Sequence, residues 1–193
     1  MNVNVTNILK KVKDFLKPQV ALLIAAALLF ISIFMPIMDL PRRYEKAVEQ
    51  QIETAEDYDR DSEVKELKTM LKPSTARLFS TYVLGLLGGD VSASETIMFI
   101  APLTALPLIL IIATVALAIL KKHLPVVILS AINFIVLLIQ KTVFSQVFID
   151  NGEFRWAFGN GFMFFAVILV AAVAVWNVIE NKKAKKACAD VLK

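Results

Sequence analysis

Histidine and cysteine, the residue types that most often carry nucleophilic catalysis and zinc binding, occur once each in this sequence and far apart. The single histidine, His123, follows two lysines, and the single cysteine, Cys188, lies in a lysine-rich tail. Zinc sites need several histidine or cysteine ligands at close spacing, and nucleotide sites need a glycine-rich phosphate loop. Neither pattern is present in the sequence. We therefore predict no catalytic residue, no metal site and no cofactor, and we expect that the protein is not an enzyme.

One dense group of carboxylates lies in the first half of the chain. It consists of Glu56, Asp57, Asp59, Asp61 and Glu63. A calcium-binding loop continues such alternating acids with a glycine and ends on a bidentate glutamate. Both of these are missing here, so the pattern favours a solvated acidic turn.

Most of the chain is apolar. Of its 193 residues, 58% are hydrophobic, which exceeds the apolar share of average soluble domains. The apolar residues form four long blocks, and at about 1.5 Å per residue each block covers the ~30 Å hydrocarbon layer of a bilayer. The predicted transmembrane helices are residues 18–38, 96–120, 124–147 and 157–180. The sequence therefore predicts an all-α integral membrane protein, a four-transmembrane-helix bundle with a helical extracytoplasmic segment between spans 1 and 2.

Lysines are concentrated in three flanks of these spans. Residues 1–17, which have the pattern of a basic amphipathic helix, the loop 121–123 and the tail 181–193 are basic. The segment 39–95 is acidic, and the loop 148–156 is neutral when the adjoining Lys141 is counted with it. Positive flanks stay in the cytoplasm, and four spans place all three basic flanks on one side. Both termini are therefore expected in the cytoplasm, and the lack of cysteines in the outer segment favours a bacterial plasma membrane. Anionic lipid headgroups are the expected partners of Lys10, Lys11, Lys13, Lys17, Lys182, Lys183, Lys185 and Lys186.

The segment 39–95 is long enough to form a structure outside the bilayer. Apolar residues at spacings of three and four from Tyr44 onward predict a helix, which Pro73 interrupts before Ser74 can cap a second one. The second helix carries an apolar cluster, and aromatic and aliphatic clusters supply most of the energy of interfaces. The candidate partner-binding surface is Leu78, Phe79, Tyr82 and Val83. The same cluster could instead be buried on the protein's own helices or in the outer leaflet.

Polar residues in the centres of the spans are few, and none of them is charged. Asn133 lies near the middle of the third span, where its amide needs a partner, so we expect a contact with a neighbouring helix. The alternative is that Asn133 lines a substrate path. Lys141 is expected to extend toward the outer interface. Gly159 and Gly161 are expected to let the fourth span approach a neighbour closely.

The absence of charge at depth bears on function, because transporters and channels usually need ionisable residues there. The sequence favours a non-enzymatic polytopic membrane protein, an accessory, scaffold or immunity-type subunit. Its expected partner is another membrane protein or a second copy of itself. The alternative is a small transporter or channel subunit that forms a path as an oligomer. No feature of the sequence indicates nucleic-acid binding.

Overall fold

The structure, a computed structural model, describes residues 18–57, 64, 67, 71–84, 95–149 and 154–191. The side chains at positions 42, 43, 55, 57, 81, 82, 84, 95–99, 148 and 184–191 are not described. The predicted helix over residues 1–17 and the carboxylates Asp59, Asp61 and Glu63 lie outside the described residues.

The described residues are mostly helical. In chain order the elements are α1 (Pro18–Ser32), β1 (Met38–Asp39), α2 (Arg42–Asp57), α3 (Thr75–Leu78), α4 (Glu95–Ile119), α5 (His123–Phe144), β2 (Arg155–Trp156) and α6 (Phe158–Val191). A π-helical turn, Phe79–Leu84, continues α3, and a second one, Ser145–Ile149, continues α5. The four long apolar helices pack in a ring, in which α4 and α6 each contact both α1 and α5.

Three of these helices are long and apolar enough to cross a membrane: Ile100–Ile119, His123–Val147 and Phe158–Lys183. The described part of α1 has 15 residues, which covers about 22 Å. The sequence predicts this span to continue to residue 38, but the helix ends at Ser32. Pro36 favours this end, because its nitrogen cannot donate to the Ser32 carbonyl and its ring crowds that carbonyl. Residues 33–35 instead make hydrogen bonds to the residues three before them.

A tight turn reverses the chain between α4 and α5. The Lys122 amide donates to the Leu117 carbonyl at 2.9 Å, and Lys121 has the left-handed backbone conformation, with φ of 57°. This is the Schellman arrangement that ends many helices. It places two lysines, Lys121 and Lys122, at the point where the antiparallel pair α4–α5 turns, and His123 begins α5.

Small side chains are among the buried residues of α1 and α6, two helices that contact each other. Ala25 and Ala26 on α1, and Ala166 and Ala174 on α6, are at most 2% exposed. Small residues let apolar helices approach closely and gain dispersion energy. The opposite faces of the helices expose large aliphatic side chains, among them Ile109 and Ile135, which is typical of a surface in contact with lipid.

At one end of the ring, a short strand pair joins two distant parts of the chain. β1 and β2 are antiparallel, with Met38 opposite Trp156 and Asp39 opposite Arg155. The sequence predicts an all-helical fold and does not anticipate this pair. Two residues per strand are too few for an alternating pattern, so their pairing depends on tertiary contacts.

The segment that follows β1 builds a small core of its own. Val48 and Ile52 on α2 pack with Val64, Leu67 and Leu71, and this cluster is separate from the core of the ring. Beyond it, Ser74 caps α3 as predicted, because its hydroxyl accepts a hydrogen bond from the Arg77 amide at 3.3 Å. The described part of the segment between α1 and α4 therefore has two parts, a helix with its own cluster and a short helical turn beside the ring.

Candidate functional site

Three segments of the chain meet at the end of the ring that carries β1 and β2, and we call this place the junction. It consists of residues 33–39, 73–76 and 155–157. The Ile37 amide donates to Pro73 at 3.0 Å, the Ala76 amide to Ile33 at 3.1 Å and the Ala157 amide to Ile37 at 3.1 Å. Two of these backbone bonds attach residues 73–76 to the chain that follows α1, and the third attaches that chain to the residue before α6.

Gly159 makes the junction possible at the start of α6. A Cβ atom at this position would overlap the Pro36 carbonyl oxygen and would lie 2.9 Å from the Cβ of Met35. The backbones of α6 and of the segment after α1 are therefore in direct contact. Gly161 has no neighbour within 4 Å of such an atom. The predicted close approach of the fourth span thus holds for Gly159, whereas Gly161 faces open space.

A cleft of about 300 Å³ opens beside the junction. Its lining includes two carboxylates, Asp39 and Glu45, and two cations, Lys72 and Arg155. Sequence reasoning missed this cleft, since its residues come from four separate parts of the chain. The charge pattern of the sequence gives no signal that these four residues line the same cleft.

The predicted partner-binding surface divides between the core and its edge. Leu78 is 6% exposed and belongs to the main core of the ring, while Phe79 and Val83 are half-buried. The side chain of Tyr82 is not described. Leu78 therefore attaches the segment between α1 and α4 to the ring. The part of the predicted surface that remains accessible is formed by Phe79 and Val83.

Asn133 lies in a row of buried polar side chains on α5, which we call the polar row. Ser130, Asn133 and Gln140 are 1%, 0% and 5% exposed, and their spacing of three and seven residues places them on one face of the helix. The Ser130 hydroxyl, the Gln140 amide nitrogen and both amide atoms of Asn133 have no hydrogen-bond partner among the described residues. The polar row faces the inside of the ring rather than lipid.

Several other buried polar groups in the ring are paired. Thr104 donates to Ala101 at 2.9 Å, Thr114 donates to Leu110 at 2.7 Å, and the Asn177 amide donates to Pro18 at 2.6 Å. The bond of Asn177 links α6 to the first residue of α1. Buried polar groups are normally paired in this way, whereas the polar row and, at isolated positions, Gln19 Oε1, Thr75 Oγ1 and His123 Nδ1 have no partner among the described residues.

Lys141 extends toward the junction. Its ammonium nitrogen lies 5.9 Å from the ring centroid of Trp156 and 5.8 Å from that of Phe164. Ammonium groups are attracted to the faces of aromatic rings at these distances. Lys141 is exposed, and the position of its charge at the membrane interface stays a prediction.

The predicted headgroup lysines are described only in part. Lys182 and Lys183 are exposed, and Lys183 forms a 3.1 Å ion pair with Glu180. Lys182 also lines a cleft with Lys121 and Lys122 at the end of the ring opposite the junction. Lys10, Lys11, Lys13 and Lys17 lie outside the described residues, and the side chains of Lys185 and Lys186 are not described.

Within the described residues, no group of three or more His, Cys, Asp or Glu side chains is placed to hold a metal ion. Comparison with protein-family models, with curated proteins and with solved structures finds no match to this chain. Function is therefore inferred from the junction, its cleft and the polar row.

Proposed function

We propose that this chain is a non-enzymatic membrane protein that binds a partner through the segment between its first two helices. Its role is that of an accessory, scaffold or immunity-type subunit, and the partner is another membrane protein or a second copy. It crosses a bacterial plasma membrane four times, with both termini in the cytoplasm.

The observation that carries this proposal is the attachment of the outer segment. The junction fixes the base of this segment by two backbone hydrogen bonds, which join Pro73 to Ile37 and Ala76 to Ile33 after α1. A surface that is already ordered loses little conformational entropy when a partner binds. A connector without a binding role would not need such a base.

The helix α2 offers the accessible face of this segment. Val48 and Ile52 face the small cluster, while Glu49 and Glu53 lie one turn apart and are exposed. Residues four apart lie on the same side of a helix. This acidic flank is suited to a partner that presents basic residues.

The partner proposal is tested by a double substitution that removes two negative charges from α2. The double variant Glu49→Gln/Glu53→Gln and the wild type are purified in mild detergent, and co-purifying proteins are quantified by mass spectrometry. We expect about tenfold less of the partner with the variant, the change that 1.4 kcal/mol produces. The monodisperse elution peak should be unchanged, because both side chains are exposed.

The matched control is Ala47→Lys/Gln51→Lys, which raises the net charge by the same amount on another exposed part of α2. This variant should retain the partner. Equal recovery from all three proteins contradicts binding through the acidic flank, and equal loss from both variants indicates a general charge effect.

The four-span topology and its orientation are supported by the basic flanks of the spans. Single-cysteine proteins allow a direct test with a membrane-impermeant maleimide on intact cells. We expect labelling of Glu53→Cys in a Cys188→Ser background. Native Cys188, and Asn4→Cys in the same background, should react only after permeabilisation.

The labelling of Asn4→Cys shows whether α1 crosses the bilayer. If Asn4→Cys reacts from outside together with Glu53→Cys, α1 does not span the bilayer and the chain has three crossings. If Cys188 reacts from outside and Glu53→Cys does not, the orientation is reversed.

The alternative function, a transporter or channel subunit, is favoured by the polar row. Its side chains face the interior and lack partners among the described residues, as groups that bind a passing solute or water would. In that case a change at Asn133 should alter flux in reconstituted vesicles.

A further inference from the structure

The cleft at the junction contains charges of both signs in a small space. Asp39 and Arg155 occupy directly opposed positions of the strand pair, Glu45 comes from the first turn of α2, and Lys72 follows Leu71 of the small cluster. In the described part of the chain, none of these four side chains forms an ion pair. Four charged groups therefore surround about 300 Å³ without neutralising one another.

The balance of these charges selects the kind of ligand. Two carboxylates and two cations sum to zero, so a purely anionic or cationic ligand meets repulsion from half of the lining. A ligand that is neutral overall but has a separated anion and cation satisfies both halves. Primary ammonium groups donate hydrogen bonds to carboxylates, while guanidinium and ammonium side chains bind phosphate.

The position of the cleft indicates where such a ligand comes from. Met35 and Pro36 follow the end of α1, and Phe158 and Gly159 begin α6, so the cleft lies at the level where two apolar helices end. Phe34 is 61% exposed and Phe158 is 75% exposed on the outside of the ring at this level. Exposed aromatic rings at the ends of apolar helices are typical of the lipid interface.

We propose that this cleft binds the headgroup of a zwitterionic phospholipid of the phosphoethanolamine type. The phosphate lies beside Arg155 and Lys72, the ammonium lies beside Asp39 and Glu45, and the acyl chains run along Phe34 and Phe158. A quaternary choline headgroup fits less well, because it cannot donate hydrogen bonds to the carboxylates. This inference goes beyond the proposed function, since it requires no protein partner.

Trp156 gives a local signal for this binding. It lies on β2 between Arg155 and Ala157, and Trp176 is the other tryptophan of the chain. In a Trp176→Phe background, quenching of Trp156 by phospholipids with brominated chains reports lipid at the junction. The protein in detergent is titrated with brominated phosphatidylethanolamine, phosphatidylcholine and phosphatidylglycerol, and unlabelled phosphoethanolamine is added as a competitor.

We expect half-maximal quenching by the ethanolamine lipid at a concentration at least five times lower than for the other two lipids. Asp39→Asn/Arg155→Gln should remove this preference and keep the monodisperse peak. The control Glu180→Gln/Lys121→Gln, which removes one charge of each sign at the other end of the ring, should keep it. If the strand-pair variant does not fold, Glu45→Gln/Lys72→Gln removes the other two charges outside the strands and should give the same loss.

Three results would overturn the inference. Equal quenching by all three lipids means that only bulk lipid contacts Trp156. Equal quenching by the ethanolamine and glycerol lipids means a site for phosphate alone. Complete competition by free phosphoethanolamine at the lipid's own concentration means a site for a soluble zwitterion, to which the acyl chains contribute nothing.

Discussion

Gly159→Ala is expected to lower the free energy of unfolding by about 1–3 kcal/mol, the range found for overpacked cores. The added methyl group overlaps the Pro36 carbonyl oxygen. The backbone cannot easily move aside, because Ile37 is hydrogen-bonded to Pro73 and Pro36 pairs with Ser74. Relief of the overlap would therefore separate α6 from the junction. Thermal or denaturant unfolding in detergent measures the loss.

Gly161→Ala is the matched control for this prediction. It adds the same methyl group to the same turn of α6, where nothing lies within 4 Å. Both changes gain about 1 kcal/mol or less from the helix propensity of alanine, so the difference between the two variants isolates the overlap. Equal stability of the two variants would show that α6 and the segment after α1 are not in backbone contact.

Asn133→Leu is expected to raise the free energy of unfolding by about 1–2 kcal/mol. Burying an amide without a hydrogen bond costs about 1–3 kcal/mol in mutational data. Asn133 is 0% exposed, and neither of its amide atoms has a partner among the described residues. Leucine keeps the branching at Cγ and replaces the nitrogen and oxygen with methyl groups, which removes the cost.

Thr104→Val serves as the comparison, because the Thr104 hydroxyl is equally buried but donates to Ala101. Its removal should change stability by no more than about 0.5 kcal/mol, since membrane hydrogen bonds average near that value. A loss of about 1 kcal/mol in Asn133→Leu would instead mean that the amide is paired, as the sequence leads one to expect. Unchanged stability together with altered flux would favour the transporter alternative.

The apolar helices could be predicted from sequence because their signal is long and continuous. α4, α5 and α6 follow from charge-free runs that no soluble helix needs. The end of α1 could not be read from the same signal, since hydropathy continues through Ile37 while Pro36 has already ended the helix. The apolar run therefore predicts a longer helix than the backbone of Pro36 allows, and the backbone sets the end of α1.

The junction could be predicted only in part. Gly159 gave a correct indication of a close approach, because a glycine in an apolar helix has few other uses. Gly161 gave the same indication and has no such neighbour, so the residue type cannot distinguish the two positions. Asp39 and Arg155 gave none, because a two-residue strand pair has no pattern within either segment. Leu78 was correctly seen as apolar, yet burial against the ring depends on where the backbone of residues 73–76 is fixed.

The strand pair has a consequence for the timing of biosynthesis. α1 is made early, but the elements that complete its surroundings, β2 and α6, are made after α4 and α5. Until then the buried face of α1, with Leu22, Ala25 and Leu29, lacks its contact with α6, and β1 lacks its partner strand. Closing the ring is a contact of high sequence separation, which has an entropic cost and is slow to form. A nascent chain that stalls before Phe158 therefore presents the apolar helix α1 without its principal neighbour, α6.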